Sequence, residues 1–255
     1  MAFKPFDLSG KVALVTGGNS GIGLGMAEGM AQAGADICIW GTNEEKNRTA
    51  HDQLVAHGTN VLALRCDVSD EDAVERAFEE TVKQLGYVDG CFANAGRGGG
   101  APFQEFPTKL WREVLSVNLD GVMFTFRAAT RHMIERGQGG RLVGTSSASA
   151  IHGAARNEAY ASAKGAMLAM MRGLAVEMAR HGITSNTIIP GWIETAMTAR
   201  NVGAEVFEDR VMKRVPARRW GQPEDFAGIA IYLMSEASSY QTGEEFVIDG
   251  GYTRF

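Results

Sequence analysis

The 255-residue sequence predicts a single-domain α/β fold, a doubly wound parallel sheet of about seven strands with helices on both faces. Two observations carry this. Short, nearly continuous apolar runs alternate with stretches of helical period, as expected where each strand returns to the sheet through a right-handed crossover. A glycine-rich turn, TGGNSGIG (16–23), joins the first apolar run to the first helical stretch.

VALVT (12–16) reads as a strand buried on both faces, and 21–33 as the helix after the turn. ADICIW (35–40) and VLALRC (61–66) are the next strands, separated by a polar helix over 43–57. Ser69 and Asp70 are cap candidates for a helix over 70–85. YVDGCFA (87–93) and RLVGTS (141–146) are strands on either side of a long helical stretch, about 107–136. A helix of about 157–180 leads to ITSNTIIP (183–190). Pro223 stands in the first turn of a helix over about 223–235, and EFVID (245–249) is the last strand. Residues 191–221 break the rhythm. A segment of that length inside a compact domain reads as a substrate lid, with a surface helical hairpin as the alternative. No linker or repeat divides the chain, so one domain spans 1–255, and the glycines of 96–100 read as a loop that leaves the entrance of a site open.

Hydrophobic residues at 45% and charged residues at 22% fit an ordinary globular protein. A net charge of −5 argues against nucleic acid and against a polybasic membrane surface. No apolar stretch is long enough for a signal peptide or a membrane span. Cys38, Cys66 and Cys91 are odd in number and lie in or beside apolar runs, as buried thiols in a reducing compartment would, with no metal-ligand spacing. The expected location is the cytoplasm.

Tyr160 and Lys164 are four residues apart in YASAK, and Ser147 lies 13 residues before the tyrosine. Positions i and i+4 share a helix face, so the lysine stands beside the phenol. A nearby cation favours phenolate and lowers a pKa that is ordinarily about 10, which equips the tyrosine for acid–base work on a small oxygen. Ser147 then donates to, or accepts from, the reacting oxygen. Alone, such a pair also occurs by chance on solvated helices.

The glycines of the first turn, Gly17, Gly21 and Gly23, allow a tight bend and a close approach of backbone to a pyrophosphate at the positive end of the helix. The motifs TGGNSGIG (16–23), ANAG (93–96), Asn118, Ser147, Tyr160/Lys164 and Pro190-Gly191 occur in the order seen in short-chain dehydrogenase/reductases, which the chain resembles from VALVTGG to IDGGY (248–252).

The resemblance implies a Rossmann sheet, NAD(P)(H) as hydride carrier, and a homotetramer or homodimer. It implies Tyr160 as general acid or base, and Lys164 as the group that lowers its pKa and holds the nicotinamide ribose. Ser147 orients the substrate, and Asn118 holds a water in a proton relay; Asn118 also reads simply as a helix-interior amide that stabilises a kink. It places Gly17, Asn19, Ser20, Gly21, Ile22 and Gly23 around the pyrophosphate, Asp67 and Val68 at the adenine, and Asn94, Ala95 and Gly96 along the cofactor. Pro190, Gly191 and Ile193 fall beside the nicotinamide, and Thr195 at its carboxamide or at the pyrophosphate. Asp67 also reads simply as a strand-end cap. After the second strand Gly41, Thr42 and Asn43 offer neither an acid to exclude a 2′-phosphate nor an arginine to grip one. Thr42 and Asn43 can donate to a phosphate, and the lean is to NADP(H) over NAD(H).

For the substrate, His152, Asn157 and Trp192 join Ser147 as candidates. His152 could hydrogen-bond a polyol or an acid or be a satisfied loop histidine. Arg156 could pair with a carboxylate or solvate its loop, and Trp192 could pack the lid. Arg127, Arg131, Arg136, Arg172 and Arg180 could form a basic patch for acyl carrier protein, as in the resembling 3-oxoacyl-carrier-protein reductases, or lie solvated beside Glu135 and Glu177. The leading expectation is an oxidoreductase acting on a small secondary alcohol or ketone. A non-catalytic dinucleotide sensor is the rival from another class, and retention of Tyr160, Lys164 and Ser147 stands against it. The helices of 107–136 and 157–180 are expected to pair with a second copy, and the terminal IDGGYTRF could complete another interface.

Overall fold

The computed structural model describes residues 4–199 and 202–254; Arg200 and Asn201 of the expected lid lie outside the described residues. Its strands are β1 (Val12–Thr16), β2 (Asp36–Gly41), β3 (Val61–Arg65), β4 (Gly90–Ala93), β5 (Gly140–Thr145), β6 (Ile183–Pro190) and β7 (Glu245–Ile248). They form one parallel sheet in the order β3-β2-β1-β4-β5-β6-β7. The order reverses between β1 and β4, the crevice where such sheets bind ligands.

Alternate residues of each strand feed two cores, because side chains point to opposite faces with a period of two. Leu14, Cys38 and Leu142 pack with Phe78, Phe126, Met167 and Met171 on one face. Ala13, Ile37 and Val143 pack with Met26, Met30, Leu54 and Leu233 on the other. The helices are α1 (Gly21–Gln32), α2 (Glu44–Val55), α3 (Glu71–Leu85), α4 (Thr108–Leu115), α5 (Gly121–Arg136), α6 (Ser149–His152), α7 (Glu158–Met178), α8 (Glu205–Arg210) and α9 (Ala227–Met234), and α1, α2, α3, α5, α7 and α9 supply these residues. Asp70 caps α3 by accepting from Ala73 N at 3.0 Å, as the sequence suggested.

The long helical stretch departs from expectation in one place. Between α4 and α5, residues Ser116–Asp120 form a π-turn centred on Asn118. The expected lid is pinned at its base, where Ile193 pairs with Gly221 and their neighbours exchange backbone bonds of 2.9 Å. Inside it Trp192 meets Phe207 edge to face at 4.7 Å, and Phe207 stacks on Trp220 at 5.1 Å.

Candidate active site

Helix α7 sets Tyr160 and Lys164 one turn apart, and β5 runs out at Thr145 beside them. Lys164 is 2% exposed, its Nζ donates to Thr145 O at 2.7 Å, and it lies 5.6 Å from the Tyr160 ring centroid. Ser146 turns inward and donates to Lys164 O at 2.9 Å, which leaves Ser147 as the serine facing the phenol. Ser147 Oγ is also 2.6 Å from Ser149 Oγ, a neighbour not anticipated from the sequence.

The electrostatics differ from the sequence expectation. Burial raises the Tyr160 phenol above its ordinary value, and a hydrogen bond with Ser147 offsets only part of that. Burial pushes the Lys164 amine down to about 7. The amine's hydrogen bond goes to the Thr145 carbonyl and not to the phenol.

Asn118 is fully buried in the π-turn, and its Nδ2 donates to Arg97 O and Val114 O, both at 2.8 Å. Its Oδ1 is buried without a partner. A Cβ on Gly96 would lie 2.9 Å from this oxygen and 3.7 Å from Lys164 Nζ, so only a glycine leaves polar space between the two side chains.

The first turn forms a cradle that side chains would fill. Gly17 has φ +63°, and a Cβ on Gly23 would lie 2.3 Å from Gly17 O. Thr16 Oγ1 accepts from the backbones of Asn94 and Ala95 at 3.0 Å, while Asn94 Nδ2 donates to Thr16 O at 3.2 Å. These bonds tie β4 to the turn. Ser20 begins α1 with its hydroxyl only 3.5 Å from Asn19 Oδ1, and Ile22 packs into the core behind it. Thr195 lies over Gly21, whose Cβ would be 3.1 Å from the threonine methyl. Gly191 is crowded by β7, since its Cβ would meet Asp249 at 2.6 Å, and Ile193 is buried beside it. Val68 packs on Gly121, and Asp67 is exposed, accepting from Ser69. This cradle at the switch point, with uncommitted N–H groups at the start of α1, fits a dinucleotide.

At the end of β2 the structure adds what the sequence did not disclose. Asn19 Nδ2 donates to Asn47 Oδ1 at 2.7 Å, and Asn47 Nδ2 donates to Gly41 O and Leu64 O. A Cβ on Gly41 would stand 2.1 Å from Asn19 Nδ2. The amide bridge thus occupies the space of a strand-end carboxylate. Asn43 caps α2, its Oδ1 accepting from Lys46 N at 2.9 Å, which fixes the side chain and leaves Nδ2 as its donor. Arg65 pairs in register with Gly41 and lines, with Thr42 and Asp67, a cleft of about 500 Å³.

On the substrate side, Asn157 Oδ1 is buried without a partner. His152 is exposed and meets the Tyr252 ring at 6.0 Å. Trp192 is engaged by Phe207, Trp220 and Tyr252, so it packs the lid rather than offering a free face. The loop 96–100 is less open than expected. A Cβ on Gly100 would lie 2.1 Å from Arg156 O, and these glycines serve close backbone packing as much as access. Tyr252 is the contact sequence reasoning missed. Asp249 accepts from Gly251 N at 2.8 Å and Thr253 N at 2.7 Å, and turns the ring back onto the chain's own lid.

Fold and site together define a dinucleotide-dependent oxidoreductase. A family model described as enoyl-(acyl carrier protein) reductase matches residues 17–253. Gluconate 5-dehydrogenase of Gluconobacter oxydans (strain 621H) is 39% identical over 97% of this chain and 96% of its own. 2-Dehydro-3-deoxy-D-gluconate 5-dehydrogenase of Escherichia coli (strain K12) is 35% identical over 99% of each chain. The crystal structure of a gluconate 5-dehydrogenase from Burkholderia cenocepacia J2315, in complex with NADP and tartrate, superposes with a TM-score of 0.94 at 36% identity over all of both chains. The chain belongs to the short-chain dehydrogenase/reductase family and acts on CH–OH groups. Among the described residues, no helix is long and apolar enough to cross a membrane.

Proposed function

We infer that this enzyme interconverts a secondary alcohol of a polyhydroxy acid and its ketone, using NADP(H). The observation that carries the chemistry is the group formed by buried Lys164 and half-buried Tyr160 and Ser147 beside the glycine cradle. The sugar-acid relatives support the substrate class.

When bound, the nicotinamide accepts or supplies the hydride at the carbinol carbon. Tyr160 Oη takes the proton from the alcohol oxygen in oxidation and returns it in reduction. Ser147 Oγ, held by Ser149, orients that oxygen. Lys164 would hold the ribose hydroxyls, and its charge, 5.6 Å from the ring centroid, would favour phenolate. Asn118 fixes the turn that carries Arg97 O, and its unpaired Oδ1 faces the space beside Gly96 where a relay water fits. Gly17, Ser20, Gly21 and Gly23 hold the pyrophosphate, Asp67 and Val68 the adenine, and Pro190, Gly191, Ile193 and Thr195 the carboxamide end. Segment 191–221 acts as the lid.

The lean to NADP(H) rests on the Asn19–Asn47 bridge, which excludes an acid at Gly41, and on Arg65, which the register sets opposite Gly41 and which lines a cleft with Thr42. The Burkholderia relative holds NADP. A carrier-protein substrate is disfavoured, because four of the five arginines of the expected basic patch are neutralised from other elements. Arg127 pairs with Glu71, Arg131 with Glu75, Arg136 with Asp89 and Arg172 with Glu245, and Arg180 donates to His181. Exposed Met123 on α5 and Val176 on α7 support self-association through these helices, towards a homotetramer in the cytoplasm.

The test is a spectrophotometric screen of aldonates, ketoaldonates, alditols and β-ketoacyl thioesters with NADP(H) and NAD(H). Aldonates or ketoaldonates with NADP(H) are expected to give the highest kcat/KM. Preferred turnover of a thioester would overturn the reading.

A further inference from the structure

We propose that Arg214, on the lid, is the anchor for the substrate's carboxylate. This rests on the polyhydroxy-acid reading above. Its guanidinium carbon lies 5.1 Å from the centroid of the Tyr252 ring. The same ring touches Trp192, two residues past the end of β6, and His152, at the end of the short helix that starts with Ser149. One aromatic residue therefore ties the lid's cation to both walls of the substrate site.

Three other cations of the lid already have partners. Lys213 pairs with Asp209, Arg218 donates to Lys213 O, and Arg219 holds Asp225 with bonds of 2.6 and 2.8 Å. Arg97 lies 3.2 Å from Glu113. Among the described side chains, which do not include that of Glu208, no carboxylate pairs with Arg214. A ring holds a guanidinium in place without neutralising it, and leaves its N–H fork for a two-point contact with a carboxylate.

The position is built rather than incidental. Asp249 fixes the turn that carries Tyr252 through Gly251 N and Thr253 N. Ala217 N donates to Gly250 O at 3.0 Å, and Gly250 and Gly251 lie so close to Val215, Pro216 and Ala217 that a Cβ on either would come within 2.9 Å. Residues 215–217 follow Arg214 directly, so the backbone beneath the cation is locked to the backbone beneath the ring. A linear polyhydroxy acid that reacts at a carbon remote from its carboxylate, with that oxygen at Tyr160, needs a cation at a distance from the phenol, and Tyr252 ties Arg214 to the walls formed by Trp192 and His152.

The test compares D-gluconate with the neutral D-glucitol on the NADP-loaded enzyme, in wild type, Arg214→Gln, Arg214→Lys and Arg156→Gln. The expected result is a rise of about ten- to a hundredfold in KM for gluconate in Arg214→Gln, with kcat little changed and glucitol unaffected, as for loss of a charge-assisted hydrogen bond. Arg214→Lys should recover part of the loss. Calorimetric titration with tartrate, which needs no turnover, should show the same ranking, and thermal melts should show that the variants fold. If Arg214→Gln keeps the wild-type preference for gluconate, or Arg156→Gln loses it instead, the anchor is overturned alone. If wild type does not distinguish gluconate from glucitol, the polyhydroxy-acid reading fails and the anchor with it.

Discussion

Lys164 donates to the carbonyl of Thr145 at 2.7 Å and so fastens helix α7 to the end of strand β5. The bond satisfies one donor of a buried amine, and burial brings that amine down from 10.5 to about 7. Between those values the folded protein binds fewer protons at this site than the unfolded chain, so stability rises with pH. The gain is complete above 10.5 and is lost as pH falls towards 7. Lys164→Met should flatten the slope of the urea midpoint against pH over this interval in the cofactor-free protein. An unchanged slope would mean that the lysine stays charged when buried.

Tyr160→Phe should lower turnover by about two to four orders of magnitude, the range for loss of a positioned acid or base. NADPH fluorescence titration should show nearly unchanged affinity, since the phenol acts on substrate oxygen. Retention of most activity would remove Tyr160 from the mechanism.

Gly41→Asp should not convert the enzyme to NAD. The added Cβ would stand 2.1 Å from Asn19 Nδ2 and 2.6 Å from Asn47 Oδ1. Breaking that amide bridge over a buried strand end should cost about 1–3 kcal/mol, read as a lower melting temperature. Arg65→Ala, by contrast, should weaken binding of 2′,5′-ADP and leave 5′-AMP unchanged in calorimetry. Equal losses for both would refute its contact with the phosphate.

Asn118→Leu should leave Arg97 O and Val114 O without their donor and cost about 1–3 kcal/mol by denaturant titration. Turnover should fall more than KM rises, because the space beside Lys164 and Gly96 is disturbed while the substrate walls are not. A variant of normal kcat would make Asn118 purely structural.

The strands were legible because both faces of a parallel sheet are covered, so runs such as VALVT stay apolar throughout. The cradle was legible because Gly17 and Gly23 answer to local sterics. What escaped was set by tertiary placement. Nothing in the spacing of Asn19 and Asn47, 28 residues apart, announces their bond. Tyr252 and Arg214 meet only because Asp249 turns the chain back. The partners of Arg127 and Arg131 come from α3 and not from their own helix. The π-turn was hidden because SVNLDG carries no glycine or proline at its centre and continues the helical period on either side.

That turn constrains how the protein can vary. Each residue of an α-helix advances the chain by about 100° around the axis, so removing one residue from 116–120 would yield a more regular helix and swing α4 relative to α5 by roughly that angle. The Asn118 amide would then face away from the loop it holds. A shorter, better-formed helix would make a poorer enzyme, and the irregularity is itself what the site requires.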